Sequence, residues 1–370
     1  IQWSRGDTIL VPVIQNLNGA IYRENQSDLV LRGKGSLFHS KAENILAEGR
    51  VDLQTGRFQK AGFTVHDYNL NNEIGLLDPE KLELNSGLLD ADLVWLPKNN
   101  PRDESLSGSF SIRGGEVQLY SPELHIQDVN TSGEIRGTDI YLQSEQLIND
   151  AVCNVKGAVY QITDPVFDLD VSVKECNLRN FKSLIPEDVR SKVDGLYAAE
   201  FELTGFYHEI GLDGVLQADE CMINGIELSQ FSADTRYKNK ELTILSSTAF
   251  WQTLKINMNG VLDFKNNRPK LSGSLESSGD ISPIVNTVLA DSIRALNTLV
   301  SAEISGTVKN PLVLGTIGCS LVSQNNDSVF YHSAFSFYNQ KARLNSLNNK
   351  ETLNVQAMLD LTGALPELTF

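Results

Sequence analysis

The chain has 370 residues, with 31 Lys and Arg against 47 Asp and Glu, which gives a formal net charge of −16 at pH 7. This charge excludes nucleic-acid partners, because phosphate binding needs a clustered basic face that the sequence lacks. The acidic balance also excludes adsorption to an anionic membrane by charge alone, and no apolar run approaches the roughly 18 residues that span a bilayer.

Residues 1–97 have the pattern of short β-strands. Apolar residues alternate with polar ones, a period of two that is typical of strands with one apolar face. The apolar positions are Ile9, Val11, Val13, Leu29, Leu31, Val51, Leu53, Phe63, Val65, Leu82, Leu84, Leu93 and Trp95. Four glycine-containing segments predict turns between these strands: Asn18-Gly19, Gly33-Lys34-Gly35, Thr55-Gly56 and Ser86-Gly87. A loop with two prolines, at 96–103, ends this part of the chain.

The β pattern continues over residues 104–163. Its predicted strand positions are Phe110, Ile112, Val117, Leu119, Leu124, Ile126, Ile140 and Leu142, followed by a strand at 151–160. Residues 143–150 lack the alternation and favour a helical turn instead.

The clearest unit of the sequence opens the segment 164–267. Phe167, Leu169, Val171 and Val173 alternate with polar residues and predict a strand that is apolar on one face. A short amphipathic helix near Phe181 is predicted next from Leu178, Phe181, Leu184, Ile185 and Val189. Alternation then resumes at Ala199, Phe201 and Leu203, so the order is strand, short helix, strand.

The same order recurs in the segment 268–370, which indicates an internal repeat. Leu271 and Leu275 lie in a predicted strand, and Ser282 and Pro283 have the residue types of a helix N-cap and first helical position. The second helix, near Val288, is predicted from Ile281, Val285, Val288, Leu289, Leu296 and Leu299. The chain ends with a strong strand around Leu353 and Leu361 and no closing cap, so we expect it to be a segment of a longer protein.

Strands also fill the interval between the two copies, with a turn at Lys238-Asn239. No linker or low-complexity tract divides the chain. We therefore predict a single all-β domain over 1–370, an antiparallel sheet with on the order of two dozen short strands. The four segments above, 1–97, 104–163, 164–267 and 268–370, are weak subdivisions of it. Two short helices cannot cover such a sheet, so we expect it to curl into an elongated, taco-like groove with an apolar interior.

The sequence gives no sign of catalysis, a cofactor or a metal. The five histidines are never paired at metal-ligand spacing, and no nucleotide or hydrolase motif is present. The carboxylate pairs Asp168 with Asp170 and Glu200 with Glu202 are same-face neighbours on strands, which favours a solvated face over an acid–base pair. We therefore predict a protein that is not an enzyme.

The four cysteines, Cys153, Cys176, Cys221 and Cys319, are too far apart for zinc or redox motifs. Each is predicted to be a small apolar residue. Cys153 and Cys176 would form the disulfide in an oxidising compartment.

The apolar face is the constellation that stands out. Its predicted lining residues are Phe167, Leu169, Val171, Val173, Phe201, Leu203, Leu212, Leu216, Ile256, Met258, Leu353, Val355, Ala357, Leu359 and Leu361. Periodicity alone fits two structures: an ordinary filled β-core, or a groove that shelters acyl chains.

A degenerate phrase recurs along the second half: strand, Gly, short loop, Pro or His, strand, Gly. It is present in EFELTGFYHEIGLDGVLQAD at 200–219, in AEISGTVKNPLVLGTIGCSL at 302–321 and, more loosely, in NVKGAVYQITDPVFDLDVSV at 154–173. This phrase resembles the AsmA-like superfamily, and within it the TamB branch. The resemblance is good over 151–370, whereas over 1–150 only the strand-and-glycine texture supports it.

The resemblance implies a grooved β-sheet that conducts phospholipid between the two membranes of a cell envelope. It implies a periplasmic location and an inner-membrane anchor outside this segment. The expected partners are phospholipid acyl chains and an Omp85-type outer-membrane assembly protein.

Two alternative functions also fit the sequence. One is a scaffold for outer-membrane protein assembly that acts by strand addition. The other is an extracellular β-solenoid adhesin or carbohydrate-binding protein, which predicts a filled interior and an outer aromatic stripe. The three tryptophans, Trp3, Trp95 and Trp251, are too scattered for such a stripe.

Overall fold

The computed structural model describes residues 2–5, 9–12, 14–37, 40–72, 82–97, 106–121, 123–162, 164–181, 183, 193–223, 225–265, 269–280, 282, 293–308, 310–323, 328–339, 341–346, 356–360 and 367–369. They form two compact units, which we call the first unit (Ile1–Ser191 with Glu202–His208) and the second unit (Lys192–Phe201 with Glu209–Phe370). Both are built of antiparallel strands, so the predicted all-β, antiparallel fold is confirmed.

The first unit consists of a two-stranded sheet and a meander in which each strand pairs with the next one along the chain. Its strands are β1 (Gln2–Arg5), β2 (Ile9–Pro12), β3 (Ile14–Arg23), β4 (Asp28–Leu37), β5 (Ile45–Asp52), β6 (Phe58–Asn69), β7 (Leu82–Trp95), β8 (Leu106–Tyr120), β9 (Glu123–Arg136), β10 (Asp139–Ile148), β11 (Ala151–Tyr160) and β12 (Val166–Asn177). β1 pairs with β2, and β3 to β12 form one ladder of successive neighbours.

The second unit repeats this plan. β13 (Val193–Phe206) gives its residues 193–201 to the second unit and 202–206 to the first. The remaining strands are β14 (Gly211–Ile223), β15 (Ile226–Lys238), β16 (Glu241–Trp251), β17 (Leu254–Asp263), β18 (Lys270–Gly279), β19 (Ile293–Gly306), β20 (Pro311–Ser323), β21 (Ser328–Tyr338), β22 (Lys341–Ser346), β23 (Gln356–Asp360) and β24 (Glu367–Thr369). β14 to β24 pair in chain order.

Two hairpins among the described residues are each closed by two residues in the left-handed conformation. Asn149 and Asp150, with φ of 46° and 71°, connect β10 to β11, and Asn239 and Lys240, with φ of 52° and 60°, connect β15 to β16. Positive φ at both central positions gives a turn whose twist matches that of the strands. The turn predicted at Lys238-Asn239 is therefore displaced by one residue.

Three of the four predicted glycine turns lie inside strands. Asn18-Gly19 is in β3, Gly33-Lys34-Gly35 is in β4 and Ser86-Gly87 is in β7; only Thr55-Gly56 connects strands. These glycines serve close packing instead of chain reversal. A Cβ at Gly19 would collide with the carbonyl oxygen of Arg32, and one at Gly33 would lie 2.8 Å from Cδ1 of Leu17. Glycine inside a strand often marks such a close approach.

The strands are longer than predicted because bulges join the predicted short pieces. β8 has 15 residues and contains both the Phe110 and the Val117 segments, with register shifts on either side of Gly115. The helical turn predicted at 143–150 was wrong. β10 continues to Ile148, and a register shift between Glu145 and Leu147 explains the broken alternation.

The two predicted amphipathic helices fall mostly on residues 184–192 and 283–292, which lie outside the described residues. Leu178 itself begins a 3₁₀ turn, Leu178–Asn180. Leu296 and Leu299, assigned to the second helix, lie in β19. A bulge between them, with Asn297 at φ 51°, produces the three-residue spacing that imitates a helix.

Side chains pack tightly in a small cluster in the described part of each unit. In the first unit Leu37, Ile45, Val65 and Tyr68 are buried together, and Leu70 from the 3₁₀ turn Leu70–Asn72 packs against them. In the second unit the cluster is formed by Ala295, Cys319 and Tyr331, with Leu321 and Leu344 packed against it. These clusters anchor local parts of each sheet.

The packing around Gly133 and Gly62 predicts that a substitution by alanine has different effects on stability at the two positions. A Cβ at Gly133 would lie 2.5 Å from the carbonyl oxygen of Tyr141 and 2.7 Å from the Phe110 ring, whereas one at Gly62 would have its nearest neighbour 4.0 Å away. Gly133→Ala should therefore lower the free energy of unfolding by about 1–3 kcal/mol, as overpacking does. Gly62→Ala should change it by less than about 0.5 kcal/mol. Urea unfolding followed by circular dichroism measures both, and equal midpoints would contradict the packing.

Candidate functional site

The predicted apolar face is built by strand register. Residues directly opposite each other in an antiparallel pair lie on the same face of the sheet. Leu169 on β12 is opposite Gly157 on β11, which is opposite Leu142 on β10. Followed across the first unit, this row is Leu169, Gly157, Leu142, Gly133, Phe110, Ala91, Val65, Ile45 and Gly35.

A second row of the first unit runs beside it. It consists of Phe167, Val159, Ile140, Ile135, Gly108, Leu93, Phe63, Ala47, Gly33 and Gly19. Neither row contains a charged residue. The two rows therefore form one uninterrupted apolar strip from β3 or β4 to β12, which we call the apolar face of the first unit.

The opposite face of the same strands is polar. Asp168 and Asp170 of β12 lie on this face. Lys156 is directly opposite Asp170, and Glu134 and Asp92 lie further along the row of Asp168. Cross-strand ion pairs lie on this face, for example Arg113 with Asp90 at 2.8 Å. Both carboxylates of the Asp168 and Asp170 pair are exposed, which agrees with the prediction of a solvated face.

The second unit has an apolar face of the same construction. One row is Leu216, Ala233, Ser247, Met258, Leu275, Ala302, Gly315, Phe335 and Leu344. The row beside it is Gly214, Thr235, Ile244, Gly260, Gly273, Ile304, Val313, Phe337 and Ala342. These rows, too, contain no charged residue.

Many large side chains on the apolar faces of the two units are only half-buried. Phe110, Leu142 and Leu169 in the first unit, and Met258 and Leu275 in the second, all retain partial solvent exposure. The buried apolar residues are mainly small, such as the alanines at 61, 151, 218, 233, 249 and 302. A closed β-core buries its large aliphatic residues most completely. On these faces Ile45 and Val65 are buried together with the small residues close to the backbone, whereas large residues such as Phe110 and Met258 are not.

Phenylalanine rings lie over glycines at three places on these faces. A Cβ would be 2.7 Å from the ring of Phe110 at Gly133, of Phe335 at Gly315 and of Phe201 at Gly214. The missing side chain lets each ring lie flat along the sheet and cover the backbone of the neighbouring strand. The rings therefore rise only a short distance above the sheet.

The apolar face of the first unit has a cavity of about 390 Å³ over β3 to β6. Its lining includes Leu17, Ile21, Leu31, Phe58 and Phe63. Ile21 is 66 % exposed and Leu17 is 53 % exposed, although both are large apolar residues. The row Ile21, Leu31, Gly49, Ala61 and Trp95 crosses this cavity, and the Trp95 and Phe58 rings pack with centroids 5.7 Å apart.

The predicted lining residues are distributed over both units. Phe167, Leu169, Val171 and Val173 are on the apolar face of the first unit, opposite Val159, Gly157, Val155 and Cys153. Leu212, Leu216, Ile256 and Met258 are on that of the second unit. Phe201 and Leu203 are half-buried between exposed glutamates on β13. The backbones of Ala357 and Leu359 pair with β22, while Leu353, Val355 and Leu361 lie outside the described residues.

Several face residues were missed by sequence reasoning. Examples are Ile21, Phe58, Phe110, Phe335 and Leu17. Phe335 sits in an alternating run, 331–337, that the period of two could have found. Ile21 and Leu17 could not be found this way, because a register shift between Gln15 and Asn18 interrupts their strand.

All four cysteines are free thiols in the structure. Cys153 is opposite Val173 in the ladder, so its cross-strand neighbour is not Cys176. Burial raises the pKa of all four thiols, which favours the protonated, unreactive form at neutral pH. They act as small apolar residues, as predicted.

The part of the chain that the structure describes contains no cluster of three metal-ligating side chains. Within the same part, no helix is long and apolar enough to cross a membrane. Comparison with known protein families, with curated proteins and with solved structures finds no match to this chain.

Two serines on the apolar face of the second unit predict opposite effects of the same substitution. Ser277 is 5 % exposed and its hydroxyl has no hydrogen-bond partner among the described residues, whereas the equally buried Ser333 donates to the carbonyl oxygen of Asn345 at 2.6 Å. Ser277→Ala should leave the free energy of unfolding unchanged or raise it, and Ser333→Ala should lower it by about 1 kcal/mol. Thermal unfolding of the two variants measures this, and the reverse order would contradict the assignment.

A charge network on the polar face predicts a pH dependence. The Asp67 backbone N–H donates to Asp90 at 3.0 Å and Arg113 donates to it at 2.8 Å, and together they lower the pKa of the Asp90 carboxyl. A lowered folded-state pKa stabilises the fold above the unfolded value of about 3.9 and is lost as the pH falls through the folded one. Asp90→Asn should therefore be less stable than the wild type at neutral pH, and the two should converge in acid. Unfolding curves across this range test it; a constant gap would contradict it.

Proposed function

We propose that this chain carries phospholipids between two membranes without changing them chemically, and that the acyl chains lie on the apolar face of each unit. The observation that carries the proposal is the combination of register and exposure. Apolar residues continue from strand to strand without a charge, yet large side chains such as Phe110, Leu142 and Leu169 stay half-buried. A surface of this kind is suited to an apolar ligand that completes its burial.

The energetics favour such a ligand. Transfer of each methylene group from water to an apolar surface contributes about 0.8 kcal/mol. Exposed residues such as Ile21 and Leu17 gain the same benefit when they are covered. The cavity over β3 to β6, about 390 Å³, falls within the range of roughly 300–1,000 Å³ typical of ligand sites.

The opposite face supports the same proposal through its charge. Ion pairs such as Arg113 with Asp90, and Arg236 with Asp213, lie on the polar side of the strands, where water solvates them. Acyl chains would desolvate these groups at a high cost, so the two faces discriminate between ligand and solvent. The acidic net charge of the chain belongs to this side.

The resemblance to the TamB branch supplies the biological setting of the proposal. It suggests the space between the inner and outer membranes, an inner-membrane anchor outside this segment and an Omp85-type partner. The solenoid adhesin predicts a filled interior, which the half-exposed side chains do not favour. Scaffolding of outer-membrane protein assembly is the alternative function, and measurements of lipid transfer distinguish it from lipid transport.

The proposal predicts that a charge on the apolar face impairs lipid binding. Ile21→Asp puts a carboxylate into the cavity at a position that is 66 % exposed, so the fold should tolerate it. We expect an affinity for a fluorescent acyl-labelled phospholipid at least about tenfold weaker, since one lost apolar contact is worth about 1.4 kcal/mol. Transfer of that lipid between vesicles of phosphatidylethanolamine and phosphatidylglycerol, and mass spectrometry of co-purified lipid, provide the measurements.

Leu46→Asp is the matched control. Leu46 is 41 % exposed in β5 and lies on the polar face, opposite Thr64 and Lys34. This variant should transfer lipid at the wild-type rate. Equal transfer by both variants, or no lipid bound to the wild type, would rule out transport along this face and leave the scaffold function.

A further inference from the structure

The polar face of the first unit contains a depression that lipid transport does not use. It has a volume of about 650 Å³ and lies over β8 to β12. Its lining includes Tyr141, Gln143, Lys156, Tyr160 and Asp168. These residues come from β10, β11 and β12, and residues of β8 and β9 complete the lining, so five adjacent strands build the site.

The floor of the depression is a small residue between large ones. Ala158 is directly opposite Tyr141 on one side and Asp168 on the other. It is only 4 % exposed, although it lies on the face that otherwise carries polar residues. The larger side chains of Tyr141 and Asp168 therefore form the sides of the depression.

Two tyrosine rings form one wall, and their geometry is fixed. The rings of Tyr141 and Tyr160 pack edge to face, with centroids 6.3 Å apart and an interplanar angle of 89°. The guanidinium carbon of Arg136 lies 4.9 Å from the centroid of the Tyr141 ring, and Arg136 is held by Glu134 at 2.8 Å. Cation–π packing of this kind positions an aromatic ring on a surface.

Hydrogen-bonding groups surround the rings. Asp168, Asp170 and Glu134 provide carboxylate acceptors, and Gln143 and Lys156 provide donors. Burial, followed by the nearby Asp168 carboxylate, raises the pKa of Tyr160, so its phenol keeps its proton at neutral pH. With Arg136 included, the charged groups are three acidic and two basic, which disfavours a phosphate ligand.

We propose that this depression binds a short stretch of an uncharged oligosaccharide. A pyranose ring has a C–H face that packs on an aromatic ring and a rim of hydroxyls that bond to carboxylates and amides. The depression offers both complements side by side. An acyl chain would leave the carboxylates desolvated and unpaired, and a polyanion would meet their charge.

Isothermal titration of the wild-type chain with the hexamer of N-acetylglucosamine tests this site. We expect measurable binding, and we expect the dissociation constant to rise roughly threefold to tenfold in Tyr141→Ala, the range that an aromatic contact supplies. Tyr141→Phe keeps the ring and should bind like the wild type. Tyr338→Ala, at a tyrosine that is 53 % exposed in the second unit, is the matched control and should have no effect.

Three results would overturn the proposal: no binding by the wild type, unchanged affinity in Tyr141→Ala, or binding of a lysine hexapeptide in place of the sugar. Should Tyr141→Ala fail to fold, Gln143→Ala at the exposed rim gives a second measurement of the same loss. Lipid transfer by these variants should be normal, because the depression and the apolar face lie on opposite sides of the sheet. The failure of either proposal is therefore distinguishable from the failure of the other.

Discussion

The fold depends on keeping every strand in register so that apolar residues stay on one face. Side chains alternate along a strand, so a shift of one residue would turn an entire strand inside out. The ladder avoids this through bulges that reset the alternation. In β6 the apolar-face positions change from odd numbers at Phe63 and Val65 to an even number at Tyr68, across a bulge where Asp67 has a φ of 45°. The face survives because the bulge absorbs one residue.

This constraint decides what the sequence could reveal. The run from Phe167 to Val173 on β12 alternates without interruption, and its strand was predicted correctly. On β16 the alternation changes across the register shift between Ile244 and Ser247, so the second half of the strand cannot be placed by counting. A bulge depends on contacts with the adjacent strand, which a single strand's periodicity does not contain.

Glycine was the second limit on prediction. In isolation, Gly33-Lys34-Gly35 fits a turn, because glycine adopts turn conformations at little steric cost. The ladder uses Gly33 to admit the Leu17 side chain, and Gly133 to admit the Phe110 ring. Only the partner strand distinguishes these roles. Sequence reasoning therefore recovered the all-β, antiparallel fold class, but neither the cavity over β3 to β6 nor the tyrosine pair on the polar face.

The partial burial of the face follows from the same arrangement. Small residues close to the backbone are shielded by their neighbours, as Ala61 and Ala302 are, while Leu142 and Met258 reach further out and keep contact with solvent. Among the described residues, the clusters around Tyr68 and Tyr331 are two places where large side chains are enclosed by their neighbours.

The pairing of each strand from β3 to β11 with its successor has a consequence for biogenesis. Since β3 to β12 join only through consecutive hairpins, each new strand finds its docking edge already present on the polypeptide just before it. Loop-closure entropy stays small at every step, and the barrier to assembly does not grow with the number of strands. A chain that emerges end-first from a ribosome or a translocation pore can thus order itself progressively, without waiting for its distant terminus.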